Sequence, residues 1–282
     1  MNKNKKNFMY LSVLLLVCSH ALAASEWGQP HNQAPAGYTH IECEIRPFAR
    51  PDWERKFTHP HIPLRDGTSN NWSGYVSETN FHAPAPHAVT KVVGTWTVPE
   101  ISSSIDDTYC SIWVGIDGFA DGTVEQIGTE HDWAYGSQQN YAWFEMYPNY
   151  PFEITGFPIN VGDSITGKVE FIGNNTYQLS LLNNTQHYST VIPVTYTKSR
   201  VAVRSSAEWI VEAPYSNEVL PLSHFSTIEW TNCAAVINGV NKILKNTTHE
   251  SLTMVTNTDI PKATPSPLTV AGNGFSVTWS HE

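Results

Sequence analysis

The sequence predicts an all-β protein: a sandwich of two curved antiparallel sheets in one domain. Three observations carry that prediction. Beyond Asn71, short runs rich in Val, Ile, Thr and aromatic residues alternate with period two. Gly, Asn and Pro turn signals separate these runs at short intervals, and no long segment has helical periodicity. Many short strands with such spacing build a two-sheet sandwich around one core. The chain has 282 residues, 40% hydrophobic and 15% charged, so it can bury that core.

In chain order, the first element is a leader. Lys3, Lys5 and Lys6 precede an apolar run from Phe8 to Cys18, and Ala21-Leu22-Ala23 offers a small-x-small cleavage site. The run is shorter than the ~20 residues of a membrane span. Residues 1–23 therefore read as a signal peptide. The product is expected to be secreted, extracellular or periplasmic, with no membrane attachment once the leader is gone. Removing the three lysines moves the formal charge from −10 to −13. An acidic chain lacks the clustered cations that phosphate binding needs, so a nucleic-acid partner is excluded.

Residues 24–70 differ in character. Pro30, Pro35, Pro47, Pro51, Pro60 and Pro63 leave little room for strands. The segment reads as a removable pro-segment, with an N-terminal arm across the domain as the alternative. His59-Pro60-His61 has no carboxylate or third histidine at ligand spacing, so it reads as exposed loop and no metal site is expected.

Strands follow at Val92–Pro99, Tyr109–Asp117, Tyr141–Tyr147, Ser164–Ile172, Tyr177–Leu182, Val191–Tyr196, Glu208–Glu212, Thr227–Ile237 and Phe275–Trp279. Turns at Gly173-Asn174-Asn175 and Asn183-Asn184 make a meander of the middle three. Cys43, Cys110 and Cys233 are an odd set without CxxC spacing; one bridge, Cys110 to Cys233, is open to an oxidising compartment.

Alternation divides each strand into two faces. Ile112, Val114 and Ile116 oppose Ser111, Trp113, Gly115 and Asp117. Ala142, Phe144 and Met146 oppose Tyr141, Trp143, Glu145 and Tyr147. Trp209 and Val211 oppose Glu208, Ile210 and Glu212. A face of tryptophans, tyrosines and carboxylates without lysine is unlike a solvated sheet face. It suits a peptide groove in which a carboxylate activates water, or a carbohydrate site with stacking rings and paired acids. HExxH, GxSxG and the paired Asp-Thr/Ser-Gly of pepsin-type proteases are all missing. Gly162-Asp163-Ser164 reads as a turn.

Six landmarks in order carry a resemblance. They are Asn71-Trp72-Ser73-Gly74-Tyr75, Thr95-Trp96-Thr97-Val98-Pro99, Trp113 through Gly118, Gln126-Ile127-Gly128, Ala142 through Pro148, and Ala207 through Glu212. From about residue 70 to 235 the chain resembles the glutamic peptidases, or eqolisins. The resemblance implies a concanavalin- or jelly-roll-like sandwich over 71–282, synthesis with a pro-segment, and a catalytic dyad of Gln126 and Glu212. It places Trp72, Trp113, Asp117 and Glu145 along or behind the cleft. Trp143, Tyr147 and Glu208 join them as substrate-binding candidates on the same face. The acid after Gln126 is left unassigned, because Thr129-Glu130-His131-Asp132-Trp133 departs from the fungal spacing.

A dyad of this kind needs no metal or cofactor. Glu212, with a reference pKa near ~4.3, would take a proton from water, and the Gln126 amide would donate to the oxyanion. The implied activity is a secreted acid endopeptidase acting on peptide or protein substrates, expected as a monomer. The alternative is a secreted carbohydrate-binding or glycoside-hydrolysing sandwich.

Overall fold

The computed structural model describes residues 34–47, 58–65, 67–196 and 201–282; the leader lies outside them. Two layers of strands enclose the core. The first layer runs, in hydrogen-bonded order, Glu44–Pro47, Phe152–Thr155, Ser137–Tyr147, Val124–Ala134, Ser111–Ile116, Ser206–Glu212, Trp72–Glu78 and Thr248–Val255. The second is built on Tyr188–Thr195, Thr176–Asn183, Ser164–Gly173, Val89–Thr97 and Ile228–Ile237, with Pro261–Pro265 and Phe275–Trp279 beyond. Thr248–Val255 belongs to both. Its first five residues pair with Trp72–Glu78, and its end pairs with Pro261–Pro265 and Thr68–Ser69. The ladders are antiparallel except where Thr39–His40 meets Tyr188–Ser189 and Thr68–Ser69 meets Thr253–Met254.

Between the layers lie the apolar faces that alternation assigns: Ile112, Val114 and Ile116, then Phe144 and Met146, then Trp209 and Val211, all fully or almost fully buried. Indole N–H groups in this core must find acceptors. Trp209 Nε1 donates to the Val93 carbonyl at 2.8 Å, and Trp96 Nε1 donates to Thr129 Oγ1 at 2.9 Å. Each bond ties one layer to the other.

The nine strands read from sequence all form, with ends shifted by up to four residues. Several expectations need correction. Residues 24–70 do contain short strands: Thr39–His40, Glu44–Pro47, Pro63–Arg65 and Thr68–Ser69. They survive their prolines because they lie at sheet edges or pair over only two to four residues, where a missing N–H costs least. No bridge joins Cys110 and Cys233; both are free and buried, as is Cys43. His59-Pro60-His61 is not an exposed loop, for His59 is completely buried.

Candidate active site

The register of the first layer gathers one set of side chains on the face turned from the core. Trp113 lies opposite Gly128 on one side and Ile210 on the other. Gly115 faces Gln126 and Glu208, and Ser111 faces Glu130 and Glu212. One strand further, Gln126 pairs with Glu145 and Gly128 with Trp143, while Glu212 pairs with Trp72. Gln126 and Glu212 are thus brought onto one face, two strands apart across Ser111–Ile116. Glycine is required beside the large indole. A Cβ on Gly128 would sit 2.3 Å from the Ile112 carbonyl oxygen and 2.6 Å from Trp113 Cβ, and one on Gly115 would sit 2.7 Å from the Trp113 ring.

The carboxylates are individually held. Glu212 Oε1 accepts from Asn71 Nδ2 and Oε2 from Trp113 Nε1, both at 2.8 Å. Burial raises the Glu212 pKa well above the carboxylate range, and the charges of Glu145 and Glu130 add to the rise against the Trp113 bond. The buried residue is therefore not the group of ordinary pKa expected from its type. Glu145 Oε2 accepts from Gln126 Nε2 at 2.8 Å. Its pKa is raised by burial, opposed by hydrogen bonds from His59.

All of this is buried because the chain's own Thr58–Leu64 segment fills the cleft. His59 stacks on Trp143, ring centroids 3.9 Å apart and 11° from parallel. Its Nδ1 is 2.9 Å from Glu145 Oε2; its Nε2 is 3.1 Å from both Glu130 Oε1 and Ser111 Oγ. The His59 N–H donates to Glu145 Oε2 at 3.1 Å, and Gln126 Nε2 reaches the His59 carbonyl at 3.5 Å. Asn71 Nδ2 donates to the Pro60 carbonyl at 2.7 Å as well as to Glu212. His61 then stacks on Trp72, with Phe119 on its far side. Thr58 anchors the segment through a bridge to Tyr215. Beyond His61 the cleft opens into a cavity of about 450 Å³ lined by Leu64, Phe81, Phe119, Glu250 and Leu252 among others.

Trp72, Trp113, Trp143 and Tyr147 form one apolar cluster on this face with Val76 and Ile210. Asp117 does not join them. With φ at 69° it leaves the strand, and its carboxylate accepts from the backbone amides of Arg204 and Ser205 instead. Glu208 is on the face but at the other end. Burial raises its pKa well above the usual range, and Asp117, Asp121 and Glu78 raise it further. Three participants carried no assignment from sequence: His59, Glu130 and the Asn71 side chain. Glu130 was legible by parity, since Gln126, Gly128 and Glu130 must share a face; the other two depend on contacts distant in the chain.

A β-sandwich that presents a glutamine and a cluster of buried carboxylates to an extended peptide defines the glutamic-peptidase class. Residues 70–277 match the Peptidase A4 family, and the chain belongs to it. It is 28% identical over 227 residues to aspergillopepsin-2 of Aspergillus niger, covering 69% of this chain and 78% of that one. To scytalidopepsin B of Scytalidium lignicola it is 29% identical over 248 residues, covering 84% and 91%. Among solved structures, scytalido-glutamic peptidase with a peptide-based transition-state analogue superposes with a TM-score of 0.62 at 25% identity, covering 75% of this chain and 98% of that one. Aspergilloglutamic peptidase from Aspergillus niger gives 0.55 at 25% identity, covering 61% and 99%. The protein is accordingly a hydrolase that acts on peptide bonds.

Proposed function

We infer that the chain is a secreted acid endopeptidase working through Glu212 and Gln126, and that Thr58–Pro60 is part of a pro-segment whose departure opens the cleft. One observation carries the reading. The Gln126 amide and the Glu212–Asn71 pair address consecutive carbonyls, those of His59 and Pro60, in a peptide lying along the face. Such donors suit a developing oxyanion. Gln126 cannot titrate, so it donates at any pH, and its Oε1 is buried without a partner among the described residues, an acceptor suited to orienting a water.

With the segment gone, water reaches Glu212 and the burial that raises its pKa is relieved. It then ionises in the acid range, takes a proton from water and returns it to the leaving amine. Activity should peak in acid, about pH 3 to 5, built on the reference carboxylate value. Above that range the proton that Glu212 must return to the leaving amine is no longer held, and the general acid is lost.

The test is incubation of the purified protein with denatured protein at pH 3 to 5 and at pH 7, reading new peptide termini, beside Glu212→Gln. New termini only in acid, and none from the variant, are expected. Full activity of Glu212→Gln would overturn the base assignment. N-terminal sequencing of the secreted protein tests the rest: the active form should begin between His61 and Asn71, and a fully active form beginning at Ala24 would refute the pro-segment.

A further inference from the structure

Residues 34–47 have their own place in the fold, on the side of the sandwich where each layer would otherwise end on a bare strand. Thr39 and His40 pair with Tyr188 and Ser189 at the margin of the second layer, and Glu44–Pro47 pairs with Phe152–Thr155 at the margin of the first. One short stretch therefore covers two edges whose free N–H and C=O groups would otherwise template association with other strands. The Thr39 and Ile41 N–H groups donate to the His187 and Ser189 carbonyls, both at 2.8 Å. The Tyr38 hydroxyl donates to Asn184 Oδ1 at 2.8 Å, and Thr155 Oγ1 donates to the Glu44 carbonyl at 3.0 Å. Between the two pairings the chain crosses from layer to layer. There Cys43 is buried in the main core, and Ile41 and Ile45 pack against it. Ile45 lies opposite Ile154, which is almost fully buried.

The cleft segment is held in another way. Thr58–Pro60 is bonded to groups that face the reacting peptide, Gln126, Glu145 and Asn71, so the cleft must lose it to work. The partners of residues 34–47 lie outside the cleft, and their loss would open no path to it. It would instead bring the apolar surface under Ile41, Cys43 and Ile45 into water, a cost that grows with the area uncovered. Phe152–Thr155 also supports the cleft wall, since Phe152 lies opposite Phe144 and Glu153 opposite Trp143 on the strand that carries Glu145. Strand addition of this kind draws affinity from main-chain bonds and register from alternate side chains.

We propose that the two edges, Phe152–Thr155 and Tyr188 with Ser189, form a binding surface that keeps residues 34–47 on the enzyme as a separate chain once the cleft segment has been cut away. The working form is then a complex of two polypeptides. This rests on the reading of Thr58–Pro60 as part of a pro-segment and divides that segment by fate: the cleft portion leaves and the edge portion stays.

The test uses the full chain with Glu212→Gln, which prevents self-digestion, and with a recognition sequence for a site-specific protease inserted between Pro47 and Thr58. After the cut at pH 6, native size exclusion is followed by mass measurement of the denatured peak. The fragment bearing residues 34–47 should elute with the body in equal amount. Cys43, the one cysteine between Ala24 and Pro47, should react with iodoacetamide no faster than in the uncut chain. Ile41→Pro deletes the N–H that bonds Ser189; after the same cut it should release the fragment and let Cys43 react at the rate of denatured protein. Separation of the unsubstituted fragment from the body overturns the proposal. So does equal retention of the Ile41→Pro fragment, because the strand pairing would not be what holds it. Wild type incubated at pH 4 tests the natural event. N-terminal sequencing of its native peak should read two chains, one starting ahead of Ala34 and one, carrying Glu212, starting between His61 and Asn71. The second chain alone overturns the proposal and leaves the pro-segment reading standing. A single active uncut chain refutes the pro-segment reading, while co-elution after the engineered cut still supports the binding surface.

Discussion

Raising the pH should weaken this fold, and Glu78 allows the effect to be measured one group at a time. Glu78 is almost fully buried, and burial lifts its pKa from 4.5 to about 7, with the charges of Asp121 and Glu250 adding to the lift. The native state therefore keeps a proton that the unfolded chain releases above pH 4.5. The stability this contributes is complete below pH 4.5 and is lost as pH rises through about 7. At about 1.4 kcal/mol per pH unit, that interval costs about 3 kcal/mol, a large part of the roughly 5–15 kcal/mol typical of a domain. Asp117, Glu125, Glu208 and Glu212 are raised by burial and act in the same direction. His61 and His131, which burial pushes down to about 4, act the other way. Their neutral rings favour the fold above pH 6.5, and that contribution is lost as pH falls through about 4. Comparing Glu78→Gln with its parent cancels those contributions. Guanidinium unfolding of both at pH 4, 5.5 and 7, in a Glu212→Gln background that prevents self-digestion, gives the difference directly. The variant should gain about 3 kcal/mol on its parent between pH 4 and 7. Parallel pH profiles would refute the linkage.

Three further outcomes are expected. Gln126→Ala removes the proposed oxyanion donor and should lower kcat by about 10²-fold or more, read by steady-state kinetics at pH 4. Glu208→Gln, on the same strand face but far from the occupying segment, should reduce turnover less than Glu212→Gln does; the reverse order would show that the base is misassigned by four residues along the strand. Gly128→Val should destabilise by more than the ~1–3 kcal/mol of ordinary overpacking, because the clash is with the Ile112 backbone oxygen and not only with a side chain that can turn away; a thermal midpoint close to wild type would contradict that geometry.

Alternation made the sandwich legible wherever one face of a strand is apolar and the other is not. The meander Ser164–Gly173, Thr176–Asn183 and Tyr188–Thr195 consists of such strands, and they form nearly as read. Trp72–Glu78 and Val124–Ala134 escaped as strands for a physical reason. Both are buried along almost their whole length, yet carry Ser, Gly, Glu, Gln, His and Asp that find polar partners inside, so neither hydrophobicity nor alternation marks them. The cleft residues were legible as a face, because Trp113, Trp143, Glu145 and Glu212 fall at the right parity. Asp117 has that parity too, but its positive φ breaks the alternation one residue past the strand. His59 lies in a loop as its prolines imply, but its burial is illegible because what buries it lies 52 to 86 residues further along the chain.

The strand Thr248–Val255, shared by both layers, also sets the order in which the enzyme can be assembled. The strand bearing Trp72 has Ser206–Glu212 on one side and Thr248–Leu252 on the other, and neither neighbour exists until most of the polypeptide has been made. Pairing over such separations is slow compared with hairpin closure. The half of the sheet that binds peptide is therefore among the last parts to form, and a nascent chain carries no working hydrolytic centre through the steps that precede its release. Pulsed hydrogen exchange during refolding should show the amides of Ser164–Thr195 protected before those of Trp72–Glu78.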